Sequence, residues 1–588
     1  MRLINIHKLQ LEFFAGGEVP RYAILSHVWG SDEVTFDDIN SVGHDDAFQL
    51  DRHSKLRESC NMARSLKLDY LWIDTCCIDK SSSAELSEAI NSMFRWYAES
   101  AVCIAFLEDV ASSPLESEEA KRKVFVDSRW FTRGWTLQEL IAPRKVIFYG
   151  QDWARLGDRA ELREDIKFIT GICDELLDAN HHMADSRQRQ LDQISVAEKM
   201  YWAAGRETTR PEDIAYCLLG IFDINMPLLY GEGQVKAFKR LQKEIIKSTD
   251  DESIYAWRQP RYRVEGQSYW GLLADSPSAF DIDHATEDLN GLVPKRSKYL
   301  SLRSGTSTAM TNRGLDLELS LTPFPIDKSG TIFLAFLNCE FRRGQTSISP
   351  AILLQRAAWD KDSHFVRIRP DILALSMMNS IILPDELLNV MRKGPTEILQ
   401  EAVPRQIFVP HNTPDLRYLK GVIFRPEVKG LTEESRMVIR VRSRSPTWQY
   451  FVDAREGPSK TPESYEINFD LAPGPTLGSL QEPMVLGALE LDSGSSDSKQ
   501  CLVMGLEPLL PNPFHTAPLY FLPWYAFEEQ TRIANQDFTG VLNKEKRRLE
   551  WRVSDVLRAK IGIESRYSSL FYSLTLEMQS KRKSNTWF

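Results

Sequence analysis

The sequence is sparing with the residues that metal centres and disulfide frameworks need, holding eight cysteines and ten histidines in 588 residues. Only Cys76 and Cys77 are adjacent, and no zinc-type spacing pairs the others. Reduced, buried thiols in a cytoplasmic protein are the expectation. His181-His182 is a lone pair without partners at metal spacing, so no metal site is expected. No window approaches the run of about 18 apolar residues that a membrane-spanning helix needs. The opening Met-Arg-Leu-Ile-Asn-Ile-His-Lys lacks the apolar stretch of a signal peptide. Positive charge is not in excess either: 72 Lys and Arg stand against 82 Asp and Glu, a net charge of −10. That balance disfavours sequence-independent binding to nucleic acid. A Gly-x-x-x-x-Gly-Lys-Ser/Thr phosphate loop is missing, and no Gly-x-Gly-x-x-Gly follows an expected strand. No bound cofactor is therefore expected.

What is present falls into three textures. The length alone implies about two to four domains. Over residues 1–185, with a core at 20–150, short apolar runs alternate with helical patterns, as in a parallel sheet flanked by helices. The runs are Ala23–Leu25, Leu71–Ile73, Val102–Leu107 and Val146–Tyr149, each continuous as strands covered on both faces should be. Leu56, Cys60, Ala63 and Leu66 form one helical stripe; Ile90, Met93, Phe94 and Tyr97 form another. Ser82 with Glu85 reads as a capping box on the second helix.

Residues 186–260 read as a helical extension. Ser195 with Glu198 and Thr209 with Glu212 resemble capping boxes, and Gly220 is placed to end a helix over 214–219. Val235, Phe238, Leu241 and Ile245 make an apolar stripe on a helix starting near Gly233. From 261 to 588 the period changes to two. Leu315, Leu317, Leu319 and Leu321 alternate with polar residues, and the pattern returns near 437–441, 465–471 and 570–576. This predicts a mostly antiparallel, sandwich-like β-domain.

The densest chemistry lies where the α/β strands should end. There stand Tyr22-Ala-Ile-Leu-Ser-His-Val-Trp-Gly30, Trp72-Ile-Asp-Thr-Cys-Cys-Ile-Asp-Lys80, Glu88-Ala-Ile-Asn-Ser-Met-Phe-Arg-Trp-Tyr97 and Ser128-Arg-Trp-Phe-Thr-Arg-Gly-Trp-Thr-Leu-Gln-Glu-Leu-Ile-Ala-Pro143. In an open α/β sheet, such positions face a shared crevice. Ser26, His27, Trp29 and Gly30 follow the first strand, and Gly30 would ease a sharp turn. His27 reads as a ligand contact or as a satisfied, half-buried histidine. Asp74 and Asp79 end the second strand and its loop, as hydrogen-bond acceptors for a ligand or as caps. Arg129 and Arg133 are candidates for holding an anion. Trp135 and Glu139, four apart on an expected helix, share a face. Leu137, Leu140 and Ile141 take the core side, which leaves Glu139 solvated, paired with Arg133, or catalytic. Cys76 lacks a base partner and is a poor nucleophile. Trp72, Trp96 and Tyr97 read as core aromatics.

These segments resemble the fungal heterokaryon-incompatibility (HET) domain. Asp213-Ile-Ala-Tyr-Cys-Leu-Leu-Gly-Ile-Phe-Asp223 and Pro227-Leu-Leu-Tyr-Gly-Glu-Gly233 resemble the stretch that commonly follows it. The resemblance covers about the first 260 residues and implies a role in non-self recognition leading to programmed cell death. It further implies a fold related to the TIR domain, some members of which hydrolyse NAD through a glutamate four residues after a tryptophan. Trp135 and Glu139 stand in that relation, so NAD is the candidate substrate and Glu139 the candidate catalytic group. The alternative is a non-enzymatic adaptor acting by self-association or through protein partners.

Overall fold

The computed structural model describes residues 1–411 except 16–17, 42–53, 112–116, 179–183, 261–269, 282–294, 297–307, 325–331, 344–345, 357–362, 378–379 and 383–401, and beyond 411 the backbone of the strands between Gly421 and Met578. His181-His182 lies outside the described residues. The chain divides into two compact units. One is Met1–Trp257 with Leu273–Ser304 and Asn338–Ser347; the other is Arg258–Leu272, Gly305–Leu337 and Ile348–Phe588.

The first unit is built on a seven-stranded sheet. Its strands are β1 (Arg2–Asn5), β2 (Gln10–Phe13), β3 (Tyr22–His27), β4 (Tyr70–Trp72), β5 (Val102–Phe106), β6 (Val146–Tyr149) and β7 (Arg155–Asp158), in the order β2-β1-β4-β3-β5-β6-β7. The four expected strands, β3 to β6, pair in parallel. Every residue of β3, β5 and β6 is buried, which is why these strands read as unbroken apolar runs. β1, β2 and β7 are antiparallel additions at the edges, so the sheet is mixed rather than purely parallel. Each edge strand has four residues, too few to show a period in the sequence.

Taken in chain order, the parallel strands lie 2-1-3-4. The order reverses between β3 and β5, and in doubly wound sheets a crevice opens at that reversal, beyond the carboxyl ends of the strands. Two helices cover the sheet as their stripes require. Ser54–Ser65 buries Leu56, Cys60 and Ala63, and Ser83–Glu99 buries Ile90, Met93 and Tyr97. Leu66 and Phe94 are only partly covered. Trp72 is fully buried, edge-on to Trp96 and Tyr97 with ring centres 5.7 and 5.8 Å away. Ser82 caps the second helix by accepting the Glu85 amide at 3.3 Å. The return half of the box is missing, because the Glu85 carboxylate takes the Asp79 amide and Arg2 instead.

In the helical stretch, Ser195 caps Val196–Tyr201 by accepting the Glu198 amide at 3.1 Å. The second expected box does not form. Glu212 precedes a single turn, Asp213–Tyr216, with no side-chain cap, so the expected 214–219 helix shrinks to that turn. Its carboxylate accepts the amides of Gly231 and Gly233, both at 2.9 Å. Both glycines have positive φ, +98° and +83°, the region that glycine enters without strain. From this turn the helix Gln234–Ser248 starts; Phe238, Leu241 and Ile245 are buried, whereas Val235 is exposed.

In the second unit, an antiparallel path runs through Ser380–Ile382, Ala374–Met377, Thr346–Arg356, Ile332–Phe336, Gly314–Pro323 and Val403–Pro410. Leu315, Leu317, Leu319 and Leu321 are all buried, as the alternation requires. Ser320 and Thr322 are buried too, so the far end of that strand is covered on both faces. Further strands include Val438–Arg442, Ile467–Asp470 and Ser569–Met578. The pairing is mostly antiparallel, but Gly421–Lys429 runs parallel to Ser569–Met578. Among the described residues, no helix is long and apolar enough to cross a membrane.

Candidate functional site

The carboxyl ends of β3 and β4 open on a cavity of about 160 Å³. Leu25 and His27 come from β3, Asp74 from just past β4, and Ile90, Met93 and Tyr97 from the Ser83–Glu99 helix. Arg133, Trp135, Thr136 and Glu139 form another wall, and Thr209, Arg210, Asp213 and Tyr230 complete it.

Glu139 sits on the short helix Thr136–Ile141, all of whose residues are buried. The solvated alternative for this glutamate fails, because both sides of the helix are covered. Glu139 is only 7% exposed and makes no ion pair with Arg133. Its carboxylate accepts a hydrogen bond from the Ser26 hydroxyl, which in turn accepts one from Trp130 Nε1 at 2.9 Å. Burial drives the Glu139 carboxyl up to about 8. The Ser26 hydrogen bond opposes the rise, Asp74 adds to it, and Arg133 and Tyr97 pull it back further. Near neutral pH this acid is mostly protonated.

The helix is clamped at both ends by buried arginines. Arg206 Nη1 donates to the Arg133 carbonyl at 2.8 Å and to the Thr136 hydroxyl at 3.0 Å. Arg159 Nη1 donates to the carbonyls of Leu140 and Pro143 at 2.7 and 2.9 Å, satisfying the carbonyls a helix end leaves open. Burial lowers both guanidinium pKa values, Arg206 to about 10 and Arg159 to about 9, yet both stay charged at neutral pH. Gly134 lies between Arg133 and Trp135 because nothing larger fits. A Cβ there would come within 2.5 Å of Thr208 Cγ2.

Trp135 and Glu139 share the cavity, and the edge of the indole is anchored there. Its Nε1 donates to Asp213 Oδ2 at 3.3 Å, and Tyr230 donates to Oδ1 of the same carboxylate at 3.0 Å. Burial raises the Asp213 pKa. Across the cavity, Asp74 pairs with Lys80 at 3.6 Å, and the Lys80 ammonium sits 3.7 Å over the ring of Trp29, itself 47% exposed. His27 is 6% exposed, with Nε2 3.3 Å from Glu33 but without hydrogen-bond alignment. Burial would raise Glu33; His27, the Gly30 amide and Lys55 together outweigh it and hold its carboxyl down at about 2.

Of the residues singled out from sequence, His27, Trp29, Asp74, Arg133, Trp135 and Glu139 line the cavity, and Ser26 lies behind Glu139. Three do not. Gly30 gives its amide to Glu33 and has no positive φ, so the turn does not depend on glycine. Asp79 caps its own loop, accepting the Ser81 amide at 2.9 Å. Arg129 faces solvent beside Asp109 at 3.6 Å. Cys76 and Cys77 are buried, and burial pushes both thiols up, Cys77 to about 12, so neither is a nucleophile. Lys80, Thr209, Arg210, Asp213 and Tyr230 escaped sequence reasoning as lining residues.

Residues 22–122 match the family described as heterokaryon incompatibility protein (HET). Vegetative incompatibility protein HET-E-1 of Podospora anserina is 43% identical over 267 residues, 44% of this chain. The match spans only 19% of that relative's length. No solved structure matches the chain. The matched residues supply β3, β4 and β5 and one wall of the cavity: this chain carries a heterokaryon-incompatibility (HET) domain.

Proposed function

We propose that the protein is a cytoplasmic effector of heterokaryon incompatibility whose first unit, related to TIR domains, triggers cell death by hydrolysing NAD at the nicotinamide–ribose bond. The relative's printed name and the 2-1-3-4 parallel order support the role and the kinship. The observation that carries the chemistry is Glu139: a desolvated acid, fixed by Ser26, at the floor of a cavity beyond the carboxyl edge of the sheet.

Nicotinamide departs from a pyridinium as a neutral group, so its departure needs no proton. The cost lies in positive charge developing on the ribose, which a nearby carboxylate in a dry site offsets far better than water does. A pyridinium entering the cavity favours the ionised form of Glu139 and draws its pKa down from about 8. The proton leaves to solvent as the cationic ligand binds, and the carboxylate then faces the sugar cation; water adds to that cation to give ADP-ribose and loses a proton to solvent.

The test is nicotinamide release from NAD by the full chain, assayed dilute and under oligomerising conditions. Wild type is expected to turn over, and Glu139→Gln to lose at least about a hundredfold in kcat with its fold intact. No turnover under any of these conditions would leave the self-associating adaptor as the function.

A further inference from the structure

The cavity holds more positive charge than a nicotinamide riboside needs. Lys80 is balanced by Asp74, and Asp213 spends hydrogen-bonding capacity on Trp135 and Tyr230. Arg133 and Arg210 are different: among the described residues, neither guanidinium has a carboxylate within ion-pair distance, although both line the cavity. The Arg133 carbonyl is tied to Arg206 at 2.8 Å, which fixes its backbone. Arg210 is anchored by its stem, with the guanidinium carbon 4.5 Å over the Tyr230 ring. Two guanidinium groups without carboxylate partners, lining one cavity of a chain whose net charge is −10, favour an anionic ligand.

We propose that Arg133 and Arg210 form a clamp for the phosphates of a nucleotide substrate, holding the pyrophosphate of a dinucleotide while its ribosyl end reaches Glu139. The inference rests on the NAD reading and narrows the substrate class to phosphorylated nucleosides. Guanidinium is the group suited to it, since its planar fork meets phosphate oxygens two at a time. The two arginines come from separate stretches: both lie beyond the matched residues 22–122, and Arg210 follows β7, the sheet's last strand in the chain. Specificity for phosphate is thus completed by the segment after the sheet.

The experiment uses the full chain and two readouts. Binding of inorganic pyrophosphate and of ADP-ribose is measured by calorimetry for wild type, Arg133→Ala, Arg210→Ala and the control Arg122→Ala, whose guanidinium pairs with Asp165 elsewhere. Turnover of NAD is compared with that of nicotinamide riboside, which has no phosphate. Each cavity variant is expected to weaken pyrophosphate and ADP-ribose about 10- to 100-fold, and to lower the preference for NAD over nicotinamide riboside by a similar factor. Arg122→Ala is expected to do neither. Unchanged binding in both cavity variants overturns the clamp, as does an NAD preference that persists in both. If pyrophosphate binds through the arginines but no nicotinamide is ever released, the clamp stands and the hydrolase falls. If nicotinamide is released with KM unaltered in both variants, the hydrolase stands and the clamp falls.

Discussion

Ser26 and Glu139, 113 positions apart in the chain, share a buried hydrogen bond in which the serine hydroxyl donates to the carboxylate. The first strand of the parallel sheet thereby sets the protonation of an acid on a distant helix. A hydrogen bond to an ionised carboxylate favours the ionised form, and Ser26 is the strongest influence opposing burial at this site.

Removing that donor has a definite sign. Ser26→Ala is expected to raise the Glu139 pKa above its value of about 8. A hydrogen bond to a charged group is worth about 1.5–3 kcal/mol, and one pKa unit about 1.4 kcal/mol, so the rise should be about one to two units. The acid limb of the kcat/KM profile for nicotinamide release should move to higher pH by that amount. A profile that stays in place would show that the titrating group is not this carboxyl.

The same displaced acid makes stability depend on pH. Its folded value, about 8, lies above the ordinary 4.5, so the folded state keeps a proton that the unfolded state loses. Stability associated with Glu139 is full below pH 4.5 and drains away as pH rises to about 8. Glu139→Gln abolishes this dependence. The variant should unfold at higher temperature than wild type at pH 8, with the gap shrinking toward pH 5. Glu33 behaves oppositely: held at about 2, it stabilises above pH 4.5, and that contribution is lost as pH falls toward 2. Glu33→Gln should therefore lower the melting temperature at pH 7 and cost progressively less in acid. Thermal scans of the three proteins at several pH values check both signs.

Much of this arrangement was legible in the sequence, and its gaps have physical causes. Strands β3 to β6 announced themselves because burial on both faces demands unbroken apolar runs. Helical spacing placed Trp135 and Glu139 on one face, while their candidate role came from the family resemblance. The Arg210–Asp213–Tyr230 wall was not, since a loop and a single turn carry no period, and the partners of Asp213 stand 78 and 17 positions away. Thr209 with Glu212 had the spacing of a capping box, yet Glu212 serves two glycine amides about 20 positions on. Spacing reveals which local acceptor is available and is silent about a distant competitor. Gly30 misled for a similar reason: its place after the first strand suggested a turn that glycine would ease, whereas its amide is held by the Glu33 carboxylate and its φ is not positive.

Gly220 offers a test of packing independent of the site. A Cβ there would lie 2.0 Å from Phe94 Cβ, well inside contact distance. Gly220→Ala must therefore separate this segment from the Ser83–Glu99 helix, with a destabilisation of about 1–3 kcal/mol. The clash is with Phe94 Cβ and also with its ring, Cγ at 2.6 Å and Cδ2 at 3.0 Å, so Phe94→Ala, which keeps the Cβ, should rescue it only in part. Phe94→Gly should recover more of the packing while losing helix propensity. Complete rescue by Phe94→Ala in chemical denaturation would overturn the assignment.

Arg206 tests whether Glu139 depends on its support as well as its surroundings. Its Nη1 bridges the Arg133 carbonyl and the Thr136 hydroxyl, at the entrance to the helix that carries the acid. Arg206→Met keeps much of the apolar stem but removes the donors, leaving a buried carbonyl and hydroxyl without that partner, at about 1–3 kcal/mol. Arg133 and Thr136 should then shift with the loop. Because the guanidinium charge also favours ionised Glu139, its loss should raise the acid's pKa in the same direction as Ser26→Ala. A merely structural arginine would lower the melting temperature and leave the pH–rate profile unmoved. A positioning arginine moves both, and Arg206→Lys, which keeps the charge but loses the planar fork, should restore the profile more fully than the stability.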